Sequence, residues 1–418
     1  MHYAGANMAS LFVDLWHGKM DCDDRTDSRN NWVWKVLVAE KWEEHGRAVA
    51  ACKRHLPGCF DVAPRNPAEK MNSFYKAREY ITWLYHLCPA LLYTILPHDY
   101  WRNFCKFVAA LRIMSQYNIT PVEVRQACQL FADWEEEFEL LYYQCRVDRI
   151  HFVRPCVHLT NHLALEATRV GAHICSSQWT MERTIGNLGQ EIRQPSDPFS
   201  NLAQQGIRRC QTNALKALFP QFDSDKKQLP RGRDDFTDVG DGYILLHKSD
   251  RRPIEGSYHE REAMAQFLQR PAPTRFRRWA RLRLPNDQIA RSAWTEMQKS
   301  ADSDQRISRH VKEKWEFINA ACVYLFAPFD PDLDRLSHGT VKTCHSLGDE
   351  ATLTFINIKT IISVVGMVPY ALPDREEHGQ QYYFMVDMSK LDGAFNHTQA
   401  DGSDDDIDDN NDMYSNNE

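Results

Sequence analysis

The 12 cysteines of this sequence include no Cys-x-x-Cys pair, so a zinc ribbon or dithiol redox site of that spacing is not encoded. No charged-then-apolar leader opens the sequence, and no apolar run reaches about 18 residues; neither a secretory signal nor a membrane-spanning helix is expected. Cysteines scattered through a chain of 418 residues follow the reduced, intracellular pattern rather than a disulfide framework. There is no compact basic cluster of the nuclear-localisation kind and no internal repeat. An excess of positive charge is also lacking. The formal charge is −7, but the stretch Asp401 to Glu418 holds eight acids and no base. Without it, 50 bases face 49 acids, so any affinity for nucleic acid must come from a local patch.

What is present is ample apolar material: 43% hydrophobic residues and 11 Trp, enough core for two or three domains. Up to about residue 220 the periodicity is helical. Met8, Leu11, Phe12, Leu15 and Trp16 recur at helical spacing over Met1 to Trp16. Asp21 to Asn31 reads as a polar, acidic loop. Trp34, Leu37, Val38, Trp42, Val49 and Cys52 give one apolar face to an expected helix from Trp32 to Lys53. Ala68 to Leu96, broken near Pro89, and Asp99 to Gln116 read as further helices. Thr120-Pro121-Val122-Glu123 is a capping box with proline at the first helical position. The helix it opens carries Glu135, Glu136, Glu137 and Glu139, read as a solvated face. Asn201 to Phe219 is the last helix of this part.

Composition then changes. Asp223 to Asp241, charged and holding Pro230, Gly232 and Gly240, reads as a linker. Beyond it, Arg281 to Leu284 alternates as a strand does. Gln305 to Lys314 is polar and of helical character. Trp315 to Pro328, Thr340 to Ser346, Ala351 to Val368 and Gln381 to Met388 are rich in β-formers. The expectation is an α+β chain: a helical region over 1–220, a charged linker over 221–272, a β-rich domain over 273–392 and a disordered acidic tail over 393–418.

Three places carry candidate chemistry. Arg275, Arg277, Arg278, Arg281 and Arg283 crowd nine residues around Trp279; guanidinium groups suit phosphates and an indole can stack on a base. The alternative is a strand edge protected by charge. His158 and His162, four apart, share a helix face, and the thiols of Cys156 and Cys175 would complete a tetrahedral zinc site; the alternative is a packed histidine pair. Glu182 stands in the first turn of an expected helix that Ser176, Ser177 or Thr180 would cap, where the helix dipole favours a carboxylate.

The wording around Glu182 adds to this. Trp179-Thr180-Met181-Glu182-Arg183, with Gly186, Gly189, Arg193 and Pro198, resembles the C-terminal catalytic segment of fungal CACTA (En/Spm-type) transposases. Further phrases resemble the same family: Met1-His2, Trp16-His17-Gly18, Pro64-Arg65-Asn66-Pro67-Ala68-Glu69-Lys70, Arg335 to Thr340, and Ile356 to Lys359. The resemblance implies an RNase H-like DDE recombinase whose helical insertion separates the second and third acids. It makes Glu182 the third acid and implies a nuclear protein. In such a site acids hold two Mg²⁺ ions about 3.5–4 Å apart for in-line attack on DNA phosphate. The first two acids would stand upstream of residue 1, so the chain reads as an N-terminally truncated transposase. One carboxylate cannot hold two hard cations. The expectation is therefore no autonomous nuclease, with binding of DNA, of a full-length transposase or of a second copy retained. No membrane and no small-molecule cofactor are expected. Two other classes stay open: an active metal-dependent nuclease combining Glu182 with Asp14, Asp21 or Asp23, and an interaction scaffold unrelated to DNA.

Overall fold

The computed structural model describes residues 2–60, 62–71, 75–190, 192, 196–219, 236–249, 254–276, 278–292, 311–313, 316–347, 353–371 and 381–388. The expected tail over 393–418 and Arg277 lie outside the described residues. The fold is α+β, with many helices and small antiparallel sheets.

The first apolar stretch is the centre of the molecule. A π-helical turn, Tyr3–Met8, runs into α1 (Ala9–His17), where Leu11, Phe12, Leu15 and Trp16 are fully buried. Helices α2 (Ala39–Ala51), α3 (Pro67–Lys70), α4 (Ala77–Ile81), α5 (Cys88–Leu91), α6 (His98–Met114), α7 (Pro121–Phe138) and α8 (Pro155–Val170) follow. The Phe12 ring lies 5.3 Å from Trp16, 5.1 Å from Phe104 and 5.3 Å from Phe107, so α1 is locked against α6 by an aromatic cluster. Each such pair adds about 0.5–1.5 kcal/mol beyond area burial. The capping box at α7 forms as its sequence requires: Glu123 N–H donates to Thr120 Oγ1 at 3.3 Å, and Thr120 N–H to Glu123 Oε2 at 2.9 Å.

One expectation for this region is corrected. The helix expected from Trp32 begins only at Ala39. The Trp32 and Trp34 rings stack at 5.5 Å and are held from the side by Arg149, whose guanidinium lies 5.7 and 5.2 Å from their centroids. Those contacts hold the chain in a loop. Within the polar loop 21–31, Asp27 is 5% exposed and accepts from Arg149 twice at 2.6 Å and from the Trp32 indole at 3.0 Å.

The phrase at Pro64 has a structural role. Arg65 donates to both oxygens of the buried Glu79 carboxylate at 2.7 and 2.8 Å, and Asn66 Oδ1 accepts from Ala68 N–H at 3.0 Å to start α3. Gly46 is required here: a Cβ at that position would stand 2.1 Å from Asn66 Oδ1.

Short α9 (His173–Ser176), then α10 (Trp179–Gln190) and α11 (Pro198–Leu218), complete the helical part; among its described residues α11 buries none. The stretch expected as a linker is folded where it is described. Strands β1 (Phe236–Gly240) and β2 (Tyr243–Ser249) form a hairpin. Its turn uses Asp241 (φ 54°) and Gly242 (φ 82°), the positive-φ pair that a two-residue hairpin demands. Gly240 (φ 87°), one of the glycines that suggested a linker, ends β1 beside that turn, and Gly232 lies outside the described residues. Next come β3 (Ile254–Glu255), α12 (Tyr258–Leu268), β4 (Arg275–Phe276), β5 (Trp279–Arg283), β6 (Ile289–Arg291), β7 (Val311–Glu313), β8 (Glu316–Ile318) and β9 (Ala320–Tyr324). β7 replaces part of the helix expected over 305–314. The chain ends its described course with α13 (Pro331–Leu336), β10 (Thr343–His345), β11 (Leu353–Asn357), β12 (Gly366–Tyr370) and β13 (Tyr382–Val386).

These strands serve two cores. In one, β9 and β11 are sandwiched by alternation: Ala320, Cys322 and Phe355 face α12, while Ala321 faces the β1-β2-β5-β6 sheet through Leu245, Leu282 and Leu284. The other sheet, β10-β13-β12, joins the helical core: Val368, Phe384, Val386 and Met388 cluster with the residues of α1 and α6. Arg112 bridges the two, donating to Tyr85 O at 2.7 Å and to Thr340 O at 3.2 Å; Tyr370 O–H donates to Ala90 O at 2.8 Å. The stretch expected as one β-rich domain over 273–392 is thus divided between two packing centres.

Candidate functional site

Glu182 lies in the first turn of α10 and is exposed, its N–H donating to Gln178 O at 2.9 Å. The expected capping differs. Thr180 falls inside the helix, while Ser176 and Ser177 donate back to His173 O (3.3 Å) and Ile174 O (2.9 Å) at the end of α9. One long-range contact is placed here: His2 Nδ1 meets Gln178 Oε1 at 2.9 Å across 176 residues. Both residues line an apolar cavity of about 360 Å³ together with Tyr85, Leu111, Leu163 and Ile174, which no periodicity in the sequence announces.

Of the other acids considered with Glu182, Asp14 and Asp23 have their carboxylates engaged. Asp14 accepts from Arg154 at 2.8 Å, and Asp23 pairs with Arg25 at 3.1 Å, which holds its carboxyl below the usual range. Asp21 offers its backbone carbonyl to His151 at 2.8 Å. Among the described residues no group of three or more His, Cys, Asp or Glu side chains is arranged to hold a metal.

That bears on the zinc set. His158 and His162 do meet, Nε2 to Nε2 at 3.2 Å. Cys156 does not join them: it packs into the helical core, because two residues along a helix turn the side chain by about 200°. Cys175 stands exposed on α9. The four-ligand set is not assembled. The face read as solvated is also corrected: the Glu135 side chain is only 13% exposed and lies 3.5 Å from His158, while Glu137 pairs with Lys106.

The arginines fare differently. β5 alternates, with Ala280 and Leu282 buried beneath the sheet and Trp279, Arg281 and Arg283 half-buried on the opposite face. The register sets Arg281 directly opposite Arg291 of β6, and Arg283 opposite Ile289. Arg291 stands alone in the sequence and joins the group only through strand pairing. Arg283 Nε is 3.3 Å from Asp287. Arg275 is exposed on β4, in a separate sheet, and Arg278 precedes β5. Trp279 packs at the margin of the apolar cluster, so its ring is not an open platform.

No known protein family, curated protein or solved structure matches this chain. Among the described residues no helix is long and apolar enough to cross a membrane.

Proposed function

We propose that this chain is a transposase-derived protein that binds nucleic acid and performs no strand transfer by itself. The observation that carries the binding half is the cross-strand placement of Arg281 and Arg291, with Arg283 beside them on one sheet face. Guanidinium groups gathered on one sheet face suit contact with the phosphates of a nucleic acid. The contact of His2 with Gln178, which sets His2 beside the start of the Glu182 helix, fits the family resemblance.

Binding of duplex DNA by the full chain is expected to weaken steeply with salt. The combined change Arg281→Ala, Arg283→Ala and Arg291→Ala should lower the magnitude of the log–log salt slope by up to about 2.7, at about 0.9 per phosphate contact. Fluorescence anisotropy across a salt series measures it. Absence of wild-type binding even at low salt would remove the binding half.

The catalytic half has its own test. Supercoiled plasmid incubated with the chain and Mg²⁺ or Mn²⁺ is expected to remain uncut, because Glu182 has no companion acids for two hard cations among the described residues. Nicking that disappears in Glu182→Gln would reverse this.

A second reading, self-association or pairing with a full-length transposase, is favoured by α11, on which Phe199 is 84% and Leu218 73% exposed. Light scattering of the wild type beside Phe199→Ser/Leu218→Ser distinguishes it: a shared monomer mass in both would count against it.

A further inference from the structure

Apart from the arginine-bearing sheet and Glu182, α7 and α8 align three side chains. The Glu135 carboxylate is 3.5 Å from His158 Nδ1, and His158 Nε2 is 3.2 Å from His162 Nε2. Glu139, one helical turn beyond Glu135, adds a second negative charge to the neighbourhood. We propose that His158 and His162 together bind one divalent ion of the zinc class, and that Glu135 orients His158 from behind.

The geometry fits in three respects. Zinc–nitrogen bonds of about 2.0–2.1 Å at a tetrahedral angle separate two nitrogens by about 3.3 Å, and the pair already stands at 3.2 Å. An ion can enter there without moving either ring far. Glu135 Oε1, 3.5 Å from His158 Nδ1, favours the tautomer with the proton on Nδ1 and so leaves the lone pair on Nε2, as in the carboxylate–histidine–metal arrangement. The side-chain exposures are graded accordingly: Glu135 is 13% exposed and His158 67%, so the orienting group is sheltered and the ligand reaches solvent.

Without an ion, one Nε2 donates its proton to the other. Binding replaces that bridging proton, which is given up to solvent while Nδ1 of the same ring takes one up, so both rings stay neutral and both lone pairs face the metal. Imidazole pairs favour Zn²⁺, Ni²⁺ and Cu²⁺ and discriminate against Mg²⁺, which takes oxygen ligands. Water fills the remaining positions, since no third His, Cys, Asp or Glu side chain among the described residues converges on the point. This site is independent of the DNA reading and of Glu182.

The test is calorimetric titration of the full chain with ZnCl₂, and with MgCl₂ as control. The wild type is expected to bind one more equivalent of zinc than His162→Ala or His158→Ala, with no such difference for magnesium. The exposed Cys145, Cys175 and Cys210 are common to all these proteins and cancel in the comparison. Glu135→Gln should retain the equivalent but weaken it about 10- to 100-fold, which loss of a merely structural contact would not do. Equal zinc stoichiometry in the wild type and both histidine variants overturns the site, and an unchanged affinity in Glu135→Gln overturns the role of Glu135. Circular dichroism checks that the variants fold; should an alanine variant not, His162→Gln replaces it in the same comparison.

Discussion

Asp27→Asn is expected to destabilise the protein by about 3–5 kcal/mol, the usual consequence of removing one partner from a buried ion pair. Asp27 and Arg149 are 5% and 4% exposed and joined by two hydrogen bonds of 2.6 Å. Asparagine keeps the shape but leaves a buried guanidinium without its counter-charge. Gln144 Oε1 at 2.7 Å and Tyr142 O at 3.3 Å still accept from Arg149, yet both are neutral. The double variant Asp27→Asn/Arg149→Met should recover part of the loss, because no unpaired charge then remains. Denaturant unfolding of the full chain measures both; a change below about 1 kcal/mol would mean that the pair is not buried as described. The pH dependence follows with its sign. Hydrogen bonding by Arg149 holds the Asp27 carboxyl below its ordinary value. Its contribution is complete above the unfolded pKa of about 3.9 and is lost as pH falls from there through the lower folded value. The acid limb of wild-type stability should therefore be steeper than that of Asp27→Asn.

The second large effect concerns how the chain divides. A fragment ending at residue 220 is expected to lose the fold of its helical core, although α1 to α8 lie within it. Phe384 is 1% and Val386 2% exposed, and with Val368 and Met388 they close the side of the core built on α1 and α6. Without them that face meets water, and the Arg112 contact to Thr340 O is lost as well. In the full chain, Phe384→Ala alone should cost about 3–5 kcal/mol. Thermal unfolding of the fragment beside the full protein decides the matter: a fragment with the same cooperative transition would show that the sheet only leans on a finished core. Either outcome bears on the proposed function, since an arginine-bearing sheet proposed to bind DNA, and covalently interleaved with the helical body, cannot act as a module on a free tether.

The legibility of the fold differed by element. Five apolar residues at helical spacing in the first 16 positions identify the central helix, because that spacing gathers them on one buried face while Ser10 stays exposed. Thr120, Pro121 and Glu123 identify the start of α7, because a capping box is local chemistry complete within four residues. The alternation of β5 is legible for the same reason. The hairpin at Asp241-Gly242 was open to either reading, since the residues that turn a hairpin also populate linkers. The candidate sites were legible only as residue types. Cys156 and His158 are neighbours in the sequence, yet helix geometry sends one to the core and the other to solvent.

The sequence alone determined the α+β class, the helical core segments and their caps, and the concentration of arginine near residue 280, because periodicity, capping and local charge depend on near neighbours. Tertiary structure alone decided that Asp27 finds Arg149, that Arg291 stands beside Arg281, that Glu135 backs His158, and that β12 and β13 finish a core begun by α1. Those pairings join residues far apart in the chain, and the burial and register that select them exist only once the whole chain has packed.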